Sequence, residues 1–278
     1  MKIIVWDLPE KQIAYLKLNC KERFEAGEIC VMEPEDKWAK DLLIISQNKQ
    51  VLAEAVKAGM ATLAYQEPGT GGGQASDASA SLEPAVDMVA EGFEEIDFAF
   101  LERVYERHHG IPWTILETER LLVRELALED MDALFELYSY EGMTDYMEGL
   151  YPYEEEYAYQ KAYIENMYRF FGYGMWLVIE KESGKLVGRA GVEHREALEG
   201  ELELGYAIGT PWQGQGYGTE VCEGILNYVR EELGFEEICS LVQPENTASM
   251  QLLQKLGFRE TEGLVLDEIC YKKFIKSL

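Results

Sequence analysis

The residues best suited to chemistry lie in a glycine-rich turn between a predicted strand and a predicted helix. The strand ends near Ile208, and the turn reads Gln213-Gly214-Gln215-Gly216-Tyr217-Gly218. Glycine lets a backbone fold tightly and approach a ligand closely. The free N–H groups at a helix start, together with the helix dipole, bind anions. No charged residue separates the strand from Glu220, so the pattern indicates a pyrophosphate site built from backbone donors.

Two side chains near this turn are candidates for a general base. Glu203 lies on the strand that leads into the turn and shares its parity with Gly205 and Ala207. His194 could reach the same region from the neighbouring strand, and a water relay without a single base is the third alternative. The negative charge of the chain favours cationic ligands such as amines. An alkylamine with a pKa of about 10 is only one part in roughly a thousand neutral at pH 7, so its deprotonation costs roughly 4 kcal/mol and calls for a base.

A second signature follows about thirty residues after the turn, from Asn246 to Phe258. It reads Asn-x-x-Ser-x-x-Leu-Leu-x-Lys-x-Gly-Phe. Combined with the Gln-x-x-Gly-x-Gly turn and with Thr118-Glu119-Arg120-Leu121, it resembles the GNAT superfamily of N-acetyltransferases, in particular the subgroup that includes ribosomal-protein N-terminal acetyltransferases. The resemblance covers about residues 114–278 and implies acetyl-CoA as the co-substrate, with no metal.

The resemblance also implies roles for individual residues. The backbone from Gln213 through Gly214, Gln215, Gly216 and Tyr217 to Gly218 would hold the CoA pyrophosphate. The strand end Tyr206-Ala207-Ile208 would part from the next strand to admit the pantetheine arm, and an N–H near Ala207 or Ile208 would polarise the thioester carbonyl. The Asn246 side chain would bind pantetheine.

One position departs from the pattern of many relatives. Where they carry a tyrosine that protonates the leaving thiolate, seven residues after the asparagine, this chain has Leu253. Ser249 is the nearest replacement for that acid. An equally weighted alternative is that Ser249 is a packing or capping hydroxyl of its helix.

The elements that position these residues predict two domains, 1–112 and 113–278. The first alternates short apolar strands with helices, which favours a doubly wound parallel sheet covered on both faces. The second mixes strands and helices as an α+β domain with a mixed sheet. The expected fold class is therefore α/β, with an N-terminal doubly wound domain followed by the acetyltransferase domain.

Part of the first domain resembles haloacid dehalogenase-like phosphatases. Ala58-Gly59-Met60 fits the end of a family pattern, and counting back places Ser46-Gln47-Asn48 on its Gly-Asp-Ser motif. The two metal-binding acids of that pattern are replaced by Gln47 and Val51. Without those oxygens Mg²⁺ lacks its ligands, so we expect a degenerate, non-catalytic domain.

Composition limits the partners. The 278 residues include 52 Asp+Glu against 25 Lys+Arg, a formal net charge of −27, which disfavours nucleic-acid binding and favours cationic ligands. No apolar run approaches the ~18 residues of a membrane span, so no membrane partner is expected.

The five cysteines lack metal or redox spacing, which indicates a reducing, cytoplasmic location. The oligomeric state stays open.

The segment Tyr138–Tyr173 contains ten of the 17 tyrosines and many carboxylates. An acidic, aromatic wall of this kind suits a cationic amine, small or peptidic, through charge and cation–π attraction. The alternative is ordinary helix packing, because Tyr153, Tyr157, Ile164, Tyr168 and Phe171 fall at helical spacing.

We therefore expect an N-acetyltransferase that transfers acetyl from acetyl-CoA to a primary amine by direct attack in a ternary complex. The rival hypothesis is a catalytically inactive CoA-binding or scaffolding module, which the leucine at position 253 would favour.

Overall fold

A computed structural model describes residues 1–33, 40–69, 85–168, 171–195, 198, 200–266 and 268–278. The chain divides into two units, Met1–Trp113 and Thr114–Leu278. The division expected from the sequence falls one residue earlier.

The first unit is built on a parallel sheet of five strands in the order β2-β1-β3-β4-β5. The strands are β1 (Lys2–Trp6), β2 (Ile29–Val31), β3 (Leu42–Ser46), β4 (Ala61–Tyr65) and β5 (Met88–Ala90). The helices are α1 (Glu10–Asn19), α2 (Lys21–Glu25), α3 (Lys49–Ala58) and α4 (Phe98–His109). The parallel sheet predicted for this half of the chain is confirmed.

Alternate residues of these strands are buried in two separate cores. One core joins Val5 and Leu43 to Leu16 of α1 and Leu101 of α4. The other joins Ile44 and its neighbours to Ala55 of α3. Because both faces of the sheet are covered, the strands are continuous apolar runs rather than alternating ones.

The second unit contains a mixed sheet whose main path runs β12-β14-β11-β10-β9-β8-β7-β6. Its strands are β6 (Thr114–Glu117), β7 (Leu121–Arg124), β8 (Met175–Glu180), β9 (Leu186–His194), β10 (Leu202–Ile208), β11 (Glu237–Val242), β12 (Arg259–Glu260), β13 (Leu264–Leu266) and β14 (Ile269–Ser277). β13 pairs with β14 beside that path. The pairing of β10 with β11 is parallel, whereas the other pairings within this unit are antiparallel in the described part of the chain.

Four α-helices of this unit are α5 (Met131–Tyr138), α6 (Tyr153–Tyr163), α7 (Tyr217–Glu231) and α8 (Thr247–Lys255). A π-helical turn, Ile164–Tyr168, follows α6. Residues 169 and 170 lie outside the described residues.

α6 buries two polar side chains beside the aromatic Tyr163. The buried side chains include Glu156 and Gln160, at 2% and 1% exposure. Tyr153 and Tyr157 are 44% and 40% exposed, so the core-packing interpretation of these two tyrosines is wrong. Tyr168, by contrast, is buried as that interpretation predicts.

Within the described ranges, no helix is both long and apolar enough to cross a membrane.

Candidate active site

The site begins where the two parallel strands of the mixed sheet part. β10 and β11 pair at Glu203 and Cys239, and Ser240 Oγ then donates to the Leu204 carbonyl over 2.9 Å. On its other edge β10 stays in regular register with β9 as far as Ile208. The end of β10 therefore keeps one edge paired and opens the other toward a cleft.

The hydrogen bonds at this edge define which backbone groups face the cleft. Gly209 N–H donates to Val187 O over 2.9 Å, on the β9 side, while the Ile208 carbonyl accepts from Gln213 Nε2 over 2.9 Å. Backbone groups alternate in direction along a regular strand. The N–H groups of Tyr206 and Ile208 therefore face the cleft, whereas that of Ala207 points toward β9.

The cleft has a volume of about 570 Å³ and opens along the end of β10, the glycine turn and α8. Of the residues that the resemblance assigned to CoA, nine line it: Tyr206, Ala207, Ile208, Gln213, Gly214, Gly216, Gly218, Asn246 and Ser249. The opposite wall includes Met143, Asp145, Tyr146 and Met147, which the motifs did not indicate.

Gln215 and Tyr217 do not line the cleft with these nine residues. Gln215 Nε2 donates to the Pro211 carbonyl over 2.9 Å. The Tyr217 side chain is buried, and its hydroxyl donates to Glu180. Their side chains therefore support the turn rather than the cleft surface.

The glycine turn leaves the start of α7 without a side-chain cap. Gly216 occupies the cap position at a φ of 86°, in the left-handed region, and no side chain accepts from the first turn. A Cβ at Gly218 would lie 2.8 Å from Leu252 Cδ1, so a larger residue here would displace the end of the Leu252 side chain on α8. The exposed N–H groups and the helix dipole form an anion site.

An ion pair fixes this turn from outside the motif. Arg120 Nε donates to Glu220 Oε2 over 2.7 Å, and Arg120 Nη1 donates to the Gln215 carbonyl over 3.0 Å. Thr118 Oγ1 also donates to Glu220 over 2.5 Å. The sequence pattern singled out Thr118–Leu121 but not its contact with Glu220, because the partners lie about a hundred positions apart.

Asn246 and Ser249 begin α8 at the same cleft. Asn246 Oδ1 accepts from Ser249 N–H over 3.0 Å and so caps the helix. Among the described residues Asn246 Nδ2 meets no acceptor, so the amide can serve a ligand. The Ser249 hydroxyl contacts Tyr206 Oη at 2.6 Å, and Leu253 is fully buried behind them.

Glu203 lies where β10 and β11 begin to part, outside the cleft lining. Its carboxylate forms an ion pair with Arg195 Nε at 2.8 Å and is 11% exposed. Burial raises the pKa of Glu203, while Arg195 and the Leu241 N–H oppose that rise. A largely buried carboxylate with a raised pKa on β10 is a suitable proton acceptor.

His194 lies on the other face of the sheet. It pairs with Leu202, the residue before Glu203, so the His194 and Glu203 side chains point in opposite directions. The imidazole contacts the rings of Tyr173 and Phe235, and Nδ1 is 3.2 Å from the Glu201 carbonyl. The structure thus places His194 in an aromatic cluster, away from the cleft.

Glu193 shares the face of Glu203. The two residues are directly opposite in the antiparallel register of β9 and β10, and Glu193 accepts a hydrogen bond from the Tyr163 hydroxyl of α6. Burial raises the pKa of Tyr163, so its hydroxyl stays a donor. This face combines carboxylates with the tyrosines of α6 and is suited to a positively charged group.

Taken together, the parted strands and the uncapped helix form a cleft suited to an extended ligand that ends in phosphate groups. A family model described as the acetyltransferase (GNAT) domain matches residues 120–259. The uncharacterized N-acetyltransferase p20 of Bacillus licheniformis is 32% identical over 154 residues, which cover 55% of this chain and 85% of that protein.

Two further relatives extend this finding. The ribosomal protein uS5-alanine N-acetyltransferase of Escherichia coli is 38% identical over 64 residues, covering 23% of this chain and 32% of that protein. A crystal structure of an acetyltransferase from Agrobacterium tumefaciens superposes with a TM-score of 0.50 at 25% identity, covering 59% of this chain and 94% of that one. The chain belongs to the GNAT acetyltransferase family and is an N-acetyltransferase that uses acetyl-CoA.

Proposed function

We propose that the second unit binds acetyl-CoA in the described cleft and transfers its acetyl group to a primary amine by direct attack within a ternary complex. The observation that carries this proposal is the uncapped start of α7 at the end of the opened strand β10. Backbone N–H groups can hold a pyrophosphate even though the chain carries a net charge of −27. The pantetheine arm also fits, because backbone N–H groups on the open edge of β10 can donate to an extended chain that lies beside the strand.

The residues around the cleft have separate roles in this proposal. Bound acetyl-CoA supplies the activated acyl group. The Ile208 N–H, which faces the cleft, donates to the thioester carbonyl as negative charge develops there. The Asn246 amide orients the pantetheine arm. Ser249 donates a hydrogen bond to the leaving sulfur.

Glu203 is the proposed proton acceptor for the attacking amine. Its raised pKa brings its basicity closer to neutral pH than that of an ordinary glutamate, which favours general-base catalysis. Because Glu203 does not line the cleft itself, the amine would approach from the face of the sheet that carries Glu193 and Glu203. His194 faces away from that surface and has no place in this mechanism.

The acceptor is proposed to be a positively charged amine, and a polypeptide N-terminus is favoured over a small molecule. The support for a polypeptide is the similarity to an acetyltransferase named for a ribosomal protein. A positively charged acceptor is supported by the exposed tyrosines of α6 and by the Glu154 and Glu155 carboxylates on the same helix, because both groups attract cations. We do not expect nucleic acid or a membrane as a partner of so acidic a chain.

The first unit is proposed to be a non-catalytic relative of the haloacid dehalogenase-like domains. Gln47 and Val51 replace the expected metal-binding acids, and Asn48 uses its side chain to cap α3.

Five free cysteines support a reducing, cytoplasmic location.

The proposal is tested by incubating the full chain with acetyl-CoA and three acceptors, followed by mass spectrometry. The acceptors are a lysine- and arginine-rich peptide with a free N-terminus, the same peptide with a blocked N-terminus, and a polyamine. The expected product is N-terminal acetylation of the free peptide alone. Acetylation of the polyamine alone would show that the acceptor is a small amine rather than a polypeptide. Acetylation of none of the three acceptors would contradict the proposed acceptor class.

A further inference from the structure

Two hydroxyl groups meet at the wall of the cleft, one from the sheet and one from α8. Tyr206 Oη lies 2.6 Å from Ser249 Oγ and 3.2 Å from the Ser249 backbone carbonyl. Both residues line the cleft, and both are partly buried. The two hydroxyls are therefore direct hydrogen-bond partners in the cleft wall.

The backbone holds this serine in place. Ser249 N–H donates to Asn246 Oδ1 over 3.0 Å, which fixes the first turn of α8. The hydroxyl proton of a serine in such a turn could otherwise rotate to a carbonyl of the preceding turn. Contact with Tyr206 Oη gives the hydroxyl a defined neighbour on the cleft side.

Leu253 cannot take over this role. It is fully buried and carries no proton to donate, so the hydrogen bond to a leaving sulfur must come from another side chain. In the described part of the cleft wall, Ser249 and Tyr206 are adjacent hydroxyls that can do this together.

We propose that Tyr206 is a positioning residue that frees and orients the Ser249 proton toward the leaving sulfur. This inference rests on the proposed function of Ser249. In one arrangement of the two protons, Tyr206 donates to the Ser249 carbonyl while Ser249 donates to Tyr206 Oη. When negative charge develops in the cleft, rotation of both O–H bonds lets Tyr206 donate to Ser249 Oγ and Ser249 donate to sulfur. No heavy atom has to move, so the donor is preorganised.

The pair acts by hydrogen bonding and not by giving up a proton. Burial raises the pKa of Tyr206, whereas an ordinary thiol has a pKa of about 8.5, so proton transfer from the hydroxyl to sulfur would be unfavourable. In the balanced reaction a carbon–nitrogen bond forms, the carbon–sulfur bond breaks and its electron pair leaves with sulfur. The amine proton passes to Glu203 and then to water, and the thiolate takes up a proton from water on release.

The test measures the thiol pKa of CoA bound to the full chain, from the ultraviolet absorbance of the thiolate as a function of pH. Wild type is expected to lower this pKa relative to free CoA. Ser249→Ala should raise it by about one unit, and Tyr206→Phe by about half as much. The double variant should match Ser249→Ala, because Tyr206 acts through Ser249. Ser249→Thr should keep the low pKa.

The matched control is Tyr105→Phe, which removes a hydroxyl from a partly buried tyrosine of the first unit and should change nothing. If Ser249→Ala leaves the thiol pKa unaltered, the proposed role of Ser249 fails and the inference fails with it. If Ser249→Ala raises the pKa and Tyr206→Phe does not, only the inference is overturned. Additive effects of the two variants would also overturn it. Tyr206→Leu provides the same comparison if the phenylalanine variant does not fold.

Discussion

Each unit contains a strand that ends in a turn and leads into a helix, yet the two helix starts differ in the use of their backbone donors. In the first unit, Asn48 Oδ1 accepts from Gln50 N–H over 3.0 Å and from Val51 N–H over 3.3 Å. In the second, Gly216 begins α7 with no side-chain cap. A capped helix has already used these donors for stability, while an uncapped one keeps them for a ligand.

Asp7 in the first unit and Glu203 in the second also differ in their exposure to water. Asp7 follows β1 at a φ of 51°, is exposed and accepts a hydrogen bond from Asn48 Nδ2 over 3.3 Å. Glu203 is largely buried, and burial raises its pKa against the opposing effect of Arg195, which makes it the more suitable base.

The largest effect is expected from Gly216→Val. A β-branched residue is strained at a φ of 86°, and its Cβ would lie 3.4 Å from Nη2 of Arg120, in contact with the guanidinium that braces the turn. We expect kcat/KM for acetyl-CoA to fall by about a hundredfold or more. Steady-state kinetics at fixed acceptor concentration measures this.

The matched control is Gly59→Val at the end of α3. Its φ of 73° imposes similar strain, and an added Cβ would meet no atom within 4 Å among the described residues beyond the adjoining backbone. It should destabilise the first unit and leave kcat/KM unchanged. An equal loss of kcat/KM in the two variants would show that backbone strain, and not the loss of ligand contacts, explains the effect of Gly216→Val.

The next largest effect is expected from Glu203→Gln. Loss of the proton acceptor should lower kcat by about tenfold while the affinity for acetyl-CoA is retained. Asp7→Asn is the companion variant in the first unit and should leave kcat unaltered. An unchanged kcat for Glu203→Gln would remove this residue from the mechanism and leave a water relay as the base.

Asn48→Ala and Asn246→Ala compare two helix caps. Each should lower the free energy of unfolding of its own unit by about 1 kcal/mol. Only Asn246→Ala should also raise KM for acetyl-CoA, because Asn246 lines the cleft and Asn48 caps a helix of the first unit. Denaturant unfolding combined with kinetics separates the two effects, and a KM increase in both variants would contradict the distinction between the caps.

The smallest effect is a shift in pH dependence on Arg195→Ala. The Arg195 guanidinium holds the pKa of Glu203 down against burial, so its removal should raise that pKa further. The base must be deprotonated to act, and the acidic limb of the kcat profile should therefore move to higher pH. A limb that stays in place would mean that Glu203 does not titrate in the rate-determining step.

The features that the sequence predicted well are local. The glycine turn and the Asn246–Ser249 segment each lie within a few residues, so their motifs carry the geometry of a strand–turn–helix and a capped helix. The parallel sheet of the first unit was predicted from its strands, because each strand is a short, continuous apolar run and such runs are typical of parallel sheets.

The features that could not be predicted depend on partners far apart in the chain or on which face of a strand is covered. The Arg120–Glu220 bracing joins separate elements. His194 is a plausible base by proximity to Glu203, but its pairing with Leu202 turns it to the opposite face. Helical spacing wrongly predicted the buried face of α6, because Glu156 and Gln160 form a hydrogen bond with each other in the interior.

The central claim is that backbone donors at the start of α7 hold the pyrophosphate of the donor substrate. Titration calorimetry of the full chain with acetyl-CoA and with acetyl-pantetheine, which lacks the pyrophosphate, tests it most directly. The account predicts tight binding of acetyl-CoA, a loss of at least about a hundredfold in affinity for acetyl-pantetheine, and no difference between the two ligands in Gly216→Val. Equal affinity of the wild-type chain for both ligands would contradict it.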